Sequence, residues 1–403
     1  MPVPRRFQRL NWRRILIVLS LAWFFLDVLR YHSLRLSNTT RPTTVTAASP
    51  EIRIFIASTH WNNEQILRDF WNDAVIQLVK HFGPNNTFVS VYESGSWDDS
   101  KGALRELQTG LEELNTRHKI VLDTTTHEDE IAKSPASTGW IDTPRGRREL
   151  RRIPYLSRLR NLSLDPLHAL AREGIFFDKI LFLNDVVFTL EDVRQLLSTN
   201  NGHYAAACSI DYSKPPHFYD TFALRDSEGH EAIMSTWPYF RSHISRRATK
   251  NANPVPVSSC WNGMVFMDAT PFYSAQHSLR FRGITDSLAL SHLEASECCL
   301  IHRDNPLSRT HGVFINPRVR VGYNKAAYDA VHAHDHPVTL VAYMHGTWKN
   351  RVLRWTTSDW FKRREVRRRL DRWRSLDSSR EEPGVDCLVN EMQVLAANGW
   401  AHV

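Results

Sequence analysis

Cysteine is scarce in this chain, and its spacing excludes the common zinc-binding motifs. The 403 residues include 5 cysteines, and none of them forms a CxxC pair. Nucleic-acid-binding signatures are missing as well: there is no zinc-finger spacing, no RNA-binding aromatic motif and no basic zipper. The formal charge of +8 therefore favours an anionic lipid or a phosphorylated small molecule as partner, and not nucleic acid. One or two disulfides are possible in an oxidising compartment, but the sequence leaves their pairing open.

Long apolar runs are also rare, and the longest lies near the N-terminus. Residues 15–29 (ILIVLSLAWFFLDVL) are apolar except for Ser20 and Asp27, and they follow five arginines. This order predicts a signal-anchor that leaves the N-terminus in the cytosol. A cleaved signal peptide is the alternative, although no small-residue cleavage site follows closely. We predict a cytosolic tail at 1–14, a transmembrane helix at 15–31 and a stem rich in Ser, Thr, Pro and Ala at 32–50.

This topology predicts that the rest of the chain is lumenal. Glycosylation sequons at Asn38, Asn85 and Asn161 give only weak support, because such triplets also arise by chance. The short apolar segment suits the thinner membranes of the early secretory pathway. The sequence thus predicts a single-pass type II protein of the Golgi or the endoplasmic reticulum, anchored in the lipid bilayer.

From residue 51 onwards, strand-like and helix-like segments alternate. The apolar runs at 52–57, 87–92 and 119–122 are predicted strands, and segments of helical periodicity lie between them. The alternation predicts an α/β domain over 51–350, with a helical extension at 351–403. In sheets of parallel strands the ligand binds beyond the carboxyl ends of the strands. Residues that directly follow strands are therefore the first candidates for chemistry.

The strongest local signal is the strand-like run KILFL at 179–183, which Asn184 and Asp185 follow directly. A carboxylate at a strand end is able to hold a divalent ion, which neutralises the diphosphate of a nucleotide donor. Asn184 is placed to contact a ribose hydroxyl or the metal. The usual form of such a site is Asp-x-Asp, whereas only one carboxylate is present here. A helix cap or a turn residue is the structural alternative for Asp185.

Two further pairs of residues are candidates for the sugar and for the reaction centre. Trp261 and Asn262 suit a sugar, because aromatic faces stack on pyranose rings and amides bind hydroxyls. Glu294 and Glu297 are predicted on one helix and on one face of it, where either could act as base or electrostatic stabiliser. A solvent-facing pair is the structural alternative. If Glu297 is dispensable, the next candidates are Asp98, Asp211 and Asp286.

The remaining candidates are basic. His345 and Lys349, in the block YMHGTWK, are predicted to bind the metal and a phosphate respectively. Arg158, Arg160 and Asn161 lie on a predicted basic helix before the Asp185 strand. We predict that at least one of these arginines, with Asn161, lies near the donor nucleotide, since the guanidinium group binds phosphate through two hydrogen bonds. A solvated helix face is the alternative.

Several blocks together resemble the fungal capsule-associated mannosyltransferases, glycosyltransferase family 69. They occur in the same order over residues 52–323 and include RIFIASTHWNNEQIL, RRIPYLSRLRNLSLDPL, KILFLNDVVFTLEDV, AAACSIDY, SCWNGMVFMD, SECCLIHRD and INPRVRVGYN. The resemblance implies a GT-A-like fold with a mixed, mostly parallel sheet and Asp185 at the metal site, with Mn²⁺ or Mg²⁺ as the ion. It also implies GDP-mannose as donor, a glycan acceptor, an α-1,3 linkage and retention of configuration, in capsule or cell-wall synthesis.

Other functions are open at this level. A catalytically silent glycan-binding or scaffold protein could share the fold, because fold does not prove function. A transferase could use a different nucleotide sugar. A glycoside hydrolase needs two facing carboxylates, and the alternating strand and helix pattern argues against it. Asp185 and the arginine-rich helix favour the transferase.

Overall fold

The structure is a computed structural model that describes residues 12–39, 52–333 and 338–403. Its strands are β1 (Ile54–His60), β2 (Thr87–Ser94), β3 (His118–Asp123), β4 (Trp140–Asp142), β5 (Arg148–Leu150), β6 (Lys179–Leu183), β7 (Ala206–Lys214), β8 (His217–Phe218), β9 (Arg225–Asp226), β10 (Val255–Ser259), β11 (Met264–Asp268), β12 (Glu294–Ala295), β13 (Val313–Gly322), β14 (Leu388–Val389), β15 (Gln393–Ala396) and β16 (Gly399–His402).

The α-helices are α1 (Trp12–Thr39), α2 (Glu64–Ile66), α3 (Asn72–Phe82), α4 (Ser100–Glu113), α5 (His127–Ala132), α6 (Arg152–Arg172), α7 (Leu190–Leu197), α8 (His243–Lys250), α9 (Asp286–Ala289), α10 (Glu297–Asp304), α11 (Ser308–His311), α12 (Lys325–His332), α13 (Leu340–Thr356) and α14 (Trp360–Ser375). A π-helical segment, Leu67–Trp71, joins α2 to α3.

A 10-stranded sheet forms the centre of the molecule, in the order β3-β2-β1-β6-β11-β7-β13-β10-β9, with β8 paired to β7. The strands β3, β2, β1 and β6 run parallel. β11 runs antiparallel between β6 and β7, and β13 is parallel to β7. Most strands therefore point the same way, which confirms the predicted α/β class with a mixed, mostly parallel sheet.

Both faces of the sheet are buried, as the apolar runs in its strands require. Alternation along β1 shows this: Ile54 and Ile56 pack into one core cluster, and Phe55 and Ala57 into the other. Helices α3, α4 and α7 cover the first face, and α6 covers the second. The carboxyl ends of β1, β2, β6 and β7 consequently meet at one edge, together with the amino end of β11.

The apolar N-terminal helix is confirmed, and it is packed on the rest of the chain. Residues Arg14–Leu34 of α1 are long and apolar enough to cross a membrane. Asp27, the acidic residue of this stretch, is buried and forms an ion pair with Arg351 of α13 at 3.1 Å. The predicted stem is helical as far as Thr39. The rest of the stem, and most of the predicted tail at 1–14, lie outside the described residues.

The predicted helical extension at 351–403 is helical only in part. Helices α13 and α14 account for it up to Ser375, after which β14 pairs with β12, and β15 and β16 form a hairpin. Leu388 and Val394 of this segment pack in a third core cluster with α9, α10 and α14. Burial of these apolar side chains explains why the segment packs against the α/β domain.

Two disulfides tie distant segments together. Cys208 of β7 is bonded to Cys260, and Cys299 of α10 is bonded to Cys387. Cys298 is buried and has a free thiol. We expect the denatured, unreduced protein to contain one alkylatable cysteine, Cys298, and peptide mapping to find the two pairs above. Labelling of any other cysteine would contradict the pairing.

The Cys299–Cys387 disulfide is expected to stabilise the C-terminal segment. It closes a loop with a sequence separation of 88 residues, and the chain-entropy model gives about 4.6 kcal/mol for a loop of this size. Replacing both cysteines with serine should lower the free energy of unfolding by about that amount, measured in urea. The single replacement Cys298→Ser, which leaves both disulfides intact, should cost less.

Candidate active site

Polar side chains from four strands meet at the edge where the parallel strands end. Asn184 and Asp185 follow β6, Asn63 follows β1, and Asp211 lies in β7. Asn262 lies just before β11, and the register Met264↔Leu183 brings it beside the end of β6. The position of this cluster agrees with the general rule for ligand sites in open α/β sheets.

Asp185 is held by Asn63 without a basic partner. The amide nitrogen of Asn63 donates a hydrogen bond to Asp185 Oδ2 at 2.9 Å, and Asn63 Oδ1 accepts one from the backbone of Trp61 at 3.0 Å. Among the described residues, no lysine, arginine or histidine forms an ion pair with Asp185. Enclosure by protein removes its hydration and raises the pKa of Asp185 to about 6.

His60 fixes the position of Asn63. The ring is buried, with Nδ1 3.2 Å from Asn63 Oδ1 and Nε2 2.8 Å from Ser58 Oγ. Burial lowers the pKa of His60 to about 4, so the imidazole is neutral at physiological pH. The residue therefore orients the loop after β1 and adds no positive charge near Asp185.

A second carboxylate, Asp211, is buried close to the first. It accepts hydrogen bonds from the amide of Asn262 at 2.9 Å and from the hydroxyl of Tyr323 at 3.2 Å. The amide of Asn184 in turn donates to Tyr323 Oη at 3.3 Å. Burial, with the negative charge of Asp220, raises the pKa of Asp211 to about 7. Tyr323 thus links the two strand ends that carry Asp185 and Asp211.

Arg160 is the member of the basic helix that reaches this cluster. Its Nε donates to Glu297 Oε1 at 3.0 Å, and its guanidinium lies 4.6 Å from the ring centre of Trp261. The indole nitrogen of Trp261 donates to Asn184 Oδ1 at 3.3 Å. Arg160, Glu297 and Trp261 therefore form one packed unit behind Asn184.

Trp261 and Asn262, predicted to bind a sugar, are both buried, with 2% and 1% of their surface exposed. The ring of Trp261 is covered by Arg160, Phe182 and Phe281, so it offers no free face for a pyranose. This prediction is wrong for Trp261. Asn262 points at Asp211, and its Oδ1 is buried without a hydrogen-bond partner.

The two glutamates predicted on one helix lie in different elements. Glu294 belongs to β12, is fully buried and pairs with Arg151 at 2.8 Å. Glu297 is the first residue of α10. The predicted helix is interrupted because His292 has a φ of 55° and Ser296 caps α10 through the Cys298 amide. Of the two, Glu297 lies beside the cluster and Glu294 does not.

Arg158 and Asn161 also lie away from the cluster. Arg158 is half exposed and pairs with Glu130 at 2.6 Å. The side-chain amide of Asn161 donates a hydrogen bond to the backbone oxygen of Phe281 at 2.8 Å and accepts one from its backbone nitrogen at 3.0 Å. Because the amide nitrogen is engaged in this way, the Asn161 sequon is unsuited to a glycan. At 100° per residue, these side chains and Arg160 leave α6 in different directions. Of the residues predicted to lie near the nucleotide, Arg160 therefore reaches the cluster, whereas Arg158 and Asn161 do not.

His345 and Lys349 lie on α13 and line a cavity with Tyr212. Since neighbouring residues of a strand point to opposite faces, Tyr212 and Asp211 are on different sides of the sheet. Within the described ranges, the one group of three potential metal ligands is Cys208, Cys260 and His302, whose cysteines are joined in a disulfide. The predicted metal site shared by Asp185 and His345 is therefore not formed.

An aromatic wall next to Asn63 was missed by the sequence analysis. Trp61 stacks on His127 at 4.3 Å and meets Trp97 edge-on at 5.6 Å. Trp97 is 49% exposed, and Trp61 Nε1 is buried without a hydrogen-bond partner. Trp61 and Trp97 follow β1 and β2, so the rule that favours residues after strands could have identified them. Asp220 and Tyr323 carry no such signal, because long-range packing brings them here.

The donor set of the cluster fits a divalent cation in its chemistry, although its described carboxylates do not converge within one coordination sphere. The carboxylates of Asp185, Asp211 and Asp220 lie around Tyr323. Burial raises the pKa of the Tyr323 hydroxyl group, and the negative charge of each carboxylate raises it further. Asn262 Oδ1 adds a buried oxygen without a partner. Carboxylate and amide oxygens with an excess of negative charge are the environment that Mg²⁺ and Mn²⁺ prefer.

Glu294 is expected to be a structural residue. Replacing it with glutamine leaves the buried Arg151 with a weakened partner, and breaking a buried ion pair costs about 3 kcal/mol. We expect Glu294→Gln to lower the free energy of unfolding by roughly this amount in a urea titration. Glu297→Gln serves as the control with a smaller loss, because Arg160 keeps 17% side-chain exposure. Equal stability of both variants and the wild type would contradict the assignment.

Comparison with known proteins identifies a family for this chain. A family model described as Cryptococcal mannosyltransferase 1 matches residues 53–304, a range that contains Asn63, Asp185, Asp211 and Glu297. The chain matches no curated protein in sequence.

Similar solved structures are distant. The fragment 1–349 of TarS from S. aureus in complex with UDP has 10% identity and a TM-score of 0.36, with 67% of this chain and 60% of that chain covered. The chain thus spans less than two thirds of the TarS fragment. The mannosyltransferase PcManGT from Pyrobaculum calidifontis, in complex with GDP-Man and Mn²⁺, has 11% identity and a TM-score of 0.35, with coverage of 91% and 87%. The family match extends over more than half of the chain, and the protein therefore belongs to the cryptococcal mannosyltransferase 1 family of glycosyltransferases.

Proposed function

We propose that this glycosyltransferase moves mannose from GDP-mannose to a glycan acceptor, forming an α-1,3 linkage with retention of configuration. The observation that supports this most directly is Asp185, a desolvated carboxylate at a strand end, aligned by Asn63 and without a basic partner among the described residues. The corresponding role is that of a GT-A-like domain in capsule or cell-wall synthesis. The candidate span in α1 supports a type II topology in the Golgi or the endoplasmic reticulum.

Asp185 is our candidate ligand for the divalent ion, with Asp211 and Asn262 behind it. Such an ion, Mn²⁺ or Mg²⁺, supplies positive charge that stabilises a diphosphate leaving group. The protein residues orient this ligand: Asn63 holds Asp185 from one side, and Tyr323 links Asn184 to Asp211 from the other. Orientation by hydrogen bonds from neighbouring residues is typical of metal ligands in proteins.

The nucleotide is expected beside the aromatic wall. Trp97 is half exposed and lies on the loop after β2, where its ring is available to stack on a base. The unpartnered Nε1 of Trp61 is a donor in the same wall. With the base on Trp97, the diphosphate of the nucleotide is expected to face Asp185, because the hydrogen bond from Asn63 connects the loop after β1 to the Asp185 carboxylate.

The acceptor is expected on the opposite side of Asp185. Tyr219 is 59% exposed and its ring lies 4.7 Å from that of Tyr323, a platform on which a sugar ring can stack. Asp220 follows it and is partly exposed. In retaining transfer the acceptor hydroxyl attacks from the side of the leaving group, so Asp220 needs only to orient the hydroxyl. Glu297 acts through Arg160, whose guanidinium it aligns.

The replacement Asp185→Asn is expected to abolish mannosyl transfer from GDP-mannose while the protein stays folded. The amide cannot supply the negative charge that the ion requires, so Mn²⁺ should raise the melting temperature of the wild type and not that of the variant. Asp142→Asn, at a carboxylate with 73% side-chain exposure, is the matched control and should keep full activity. Near-normal turnover of Asp185→Asn would refute the metal site.

A panel of nucleotide sugars, with and without Mn²⁺, tests the donor. Transfer only from another sugar would correct the donor while leaving Asp185 in its role. Absence of both transfer and donor hydrolysis with every nucleotide sugar would favour a catalytically silent glycan-binding protein.

Glu297→Gln is expected to lower the rate of transfer and to leave donor affinity nearly unchanged. The neutral amide weakens the pair with Arg160, which lies on Trp261 and not in the aromatic wall. Glu297→Asp should recover part of the rate, because it retains the charge. Donor binding and single-turnover transfer are measured separately, and unchanged transfer in the Gln variant would reduce Glu297 to a packing role.

A further inference from the structure

A cavity of about 350 Å³ lies on the opposite face of β7 from Asp211, between β7, β13 and α13. We call it the α13 cavity. Its apolar walls include Ile210, Tyr212, Trp237, Tyr239 and Val331. A volume in this range suits a small ligand or a part of a lipid chain.

The charged groups around the α13 cavity are basic. Arg320, Lys349, His345 and His217 line it, and no Asp or Glu does so among the described residues. Arg320 forms no ion pair within the described part of the chain, and its Nε is buried without a hydrogen-bond partner. Most other arginines of the interior have carboxylate or carbonyl partners, for example Arg151 and Arg225. The cavity therefore combines apolar walls with positive charge that no carboxylate of the described residues neutralises.

Helix α13 separates the α13 cavity from the candidate membrane helix. One face of α13 presents Ala342, His345, Gly346 and Lys349 to the cavity. Its neighbouring face contacts α1, through Tyr343 against Tyr31 at 5.3 Å and Arg351 against Asp27 at 3.1 Å. Packed helices lie about 10 Å apart. The cavity is thus close to the helix that is long and apolar enough to cross a membrane.

Residues at the rim connect the two regions directly. Val338 lines the α13 cavity and packs in the cluster that holds Tyr31 and Leu34 of α1. Trp237 likewise lines the cavity and packs in the same cluster with Tyr31. Gly346 permits this close approach, because an added Cβ would lie 2.3 Å from the backbone oxygen of Trp237. A molecule that leaves the bilayer beside α1 has a short path to the cavity.

We propose that the α13 cavity binds a phosphorylated lipid, with the phosphate near Arg320 and Lys349 and the apolar chain on the aromatic walls. A free phosphate would use the basic groups but leave the apolar surface without a partner. An uncharged lipid would leave Arg320 without an ion-pair partner among the ligand and the described residues. A phosphate on an apolar chain satisfies both, and guanidinium groups bind phosphate oxygens well. The inference goes beyond the proposed transfer reaction and does not depend on it.

The test uses the full-length chain in phosphatidylcholine nanodiscs, with short-chain phosphatidic acid (dihexanoyl) as the probe. Inorganic phosphate and the phosphate-free dihexanoylglycerol are the two comparison probes. We expect phosphatidic acid to bind with at least tenfold higher affinity than either, and to raise the melting temperature. Arg320→Gln should weaken this binding about tenfold or more. Lys362→Gln, at a lysine with 78% side-chain exposure on α14, should leave it unchanged.

Lys349→Gln provides a second variant at an exposed position, which keeps the test valid if Arg320→Gln does not fold. Equal affinity of both variants and the wild type for phosphatidic acid would overturn the proposal. If inorganic phosphate bound as tightly as phosphatidic acid, the cavity would be a free-phosphate site. If dihexanoylglycerol bound as tightly, it would be a purely apolar cavity. Either result would also overturn the proposal. Asp185→Asn should bind phosphatidic acid like the wild type, so failure of the proposed transfer reaction is distinguishable.

Discussion

The constraint on which the candidate site depends is the burial of carboxylates at the edge of the sheet, with no matching positive charge among the described residues. Asp185 and Asp211 lose most of their hydration, and the pKa of each is raised, to about 6 and about 7. Burial of this kind is unfavourable unless hydrogen bonds or a cation compensate for it. Asn63, Asn262 and Tyr323 provide the hydrogen bonds, and the remaining negative charge is what a divalent ion requires.

The scaffold around these carboxylates is fixed by contacts far apart in sequence. The Cys208–Cys260 disulfide joins β7 to the segment before β11, and so holds Asp211 next to Asn262. Arg151 joins the start of α6 to β12 through Glu294, while Asp286 bonds to the same guanidinium. This buried pair orients the segment that leads into α10, and with it Glu297 and Arg160. Glu294, one of the two glutamates predicted to be catalytic, thus supports the site from outside it.

Asp27 links the fold to the candidate membrane helix. A carboxylate in an apolar helix is costly in a bilayer unless it has a partner, and here Arg351 provides one at 3.1 Å. Trp23 packs on Trp348 and Trp355 in the same contact. The helix therefore lies against the domain.

Local pattern was sufficient for the α/β class, the apolar N-terminal helix and the strand-end position of Asp185. These features follow from the periodicity of apolar residues and from the chemistry of single side chains, and both are local properties of the sequence. The same reasoning failed for Glu294, Trp261 and His345. Whether a glutamate faces a cleft or a buried arginine, and whether a tryptophan is free or covered, depends on residues more than a hundred positions away, such as Arg151 for Glu294 and Arg160 for Trp261. Only the packed sheet brings such pairs together, because burial and ion pairing act through space and not along the chain.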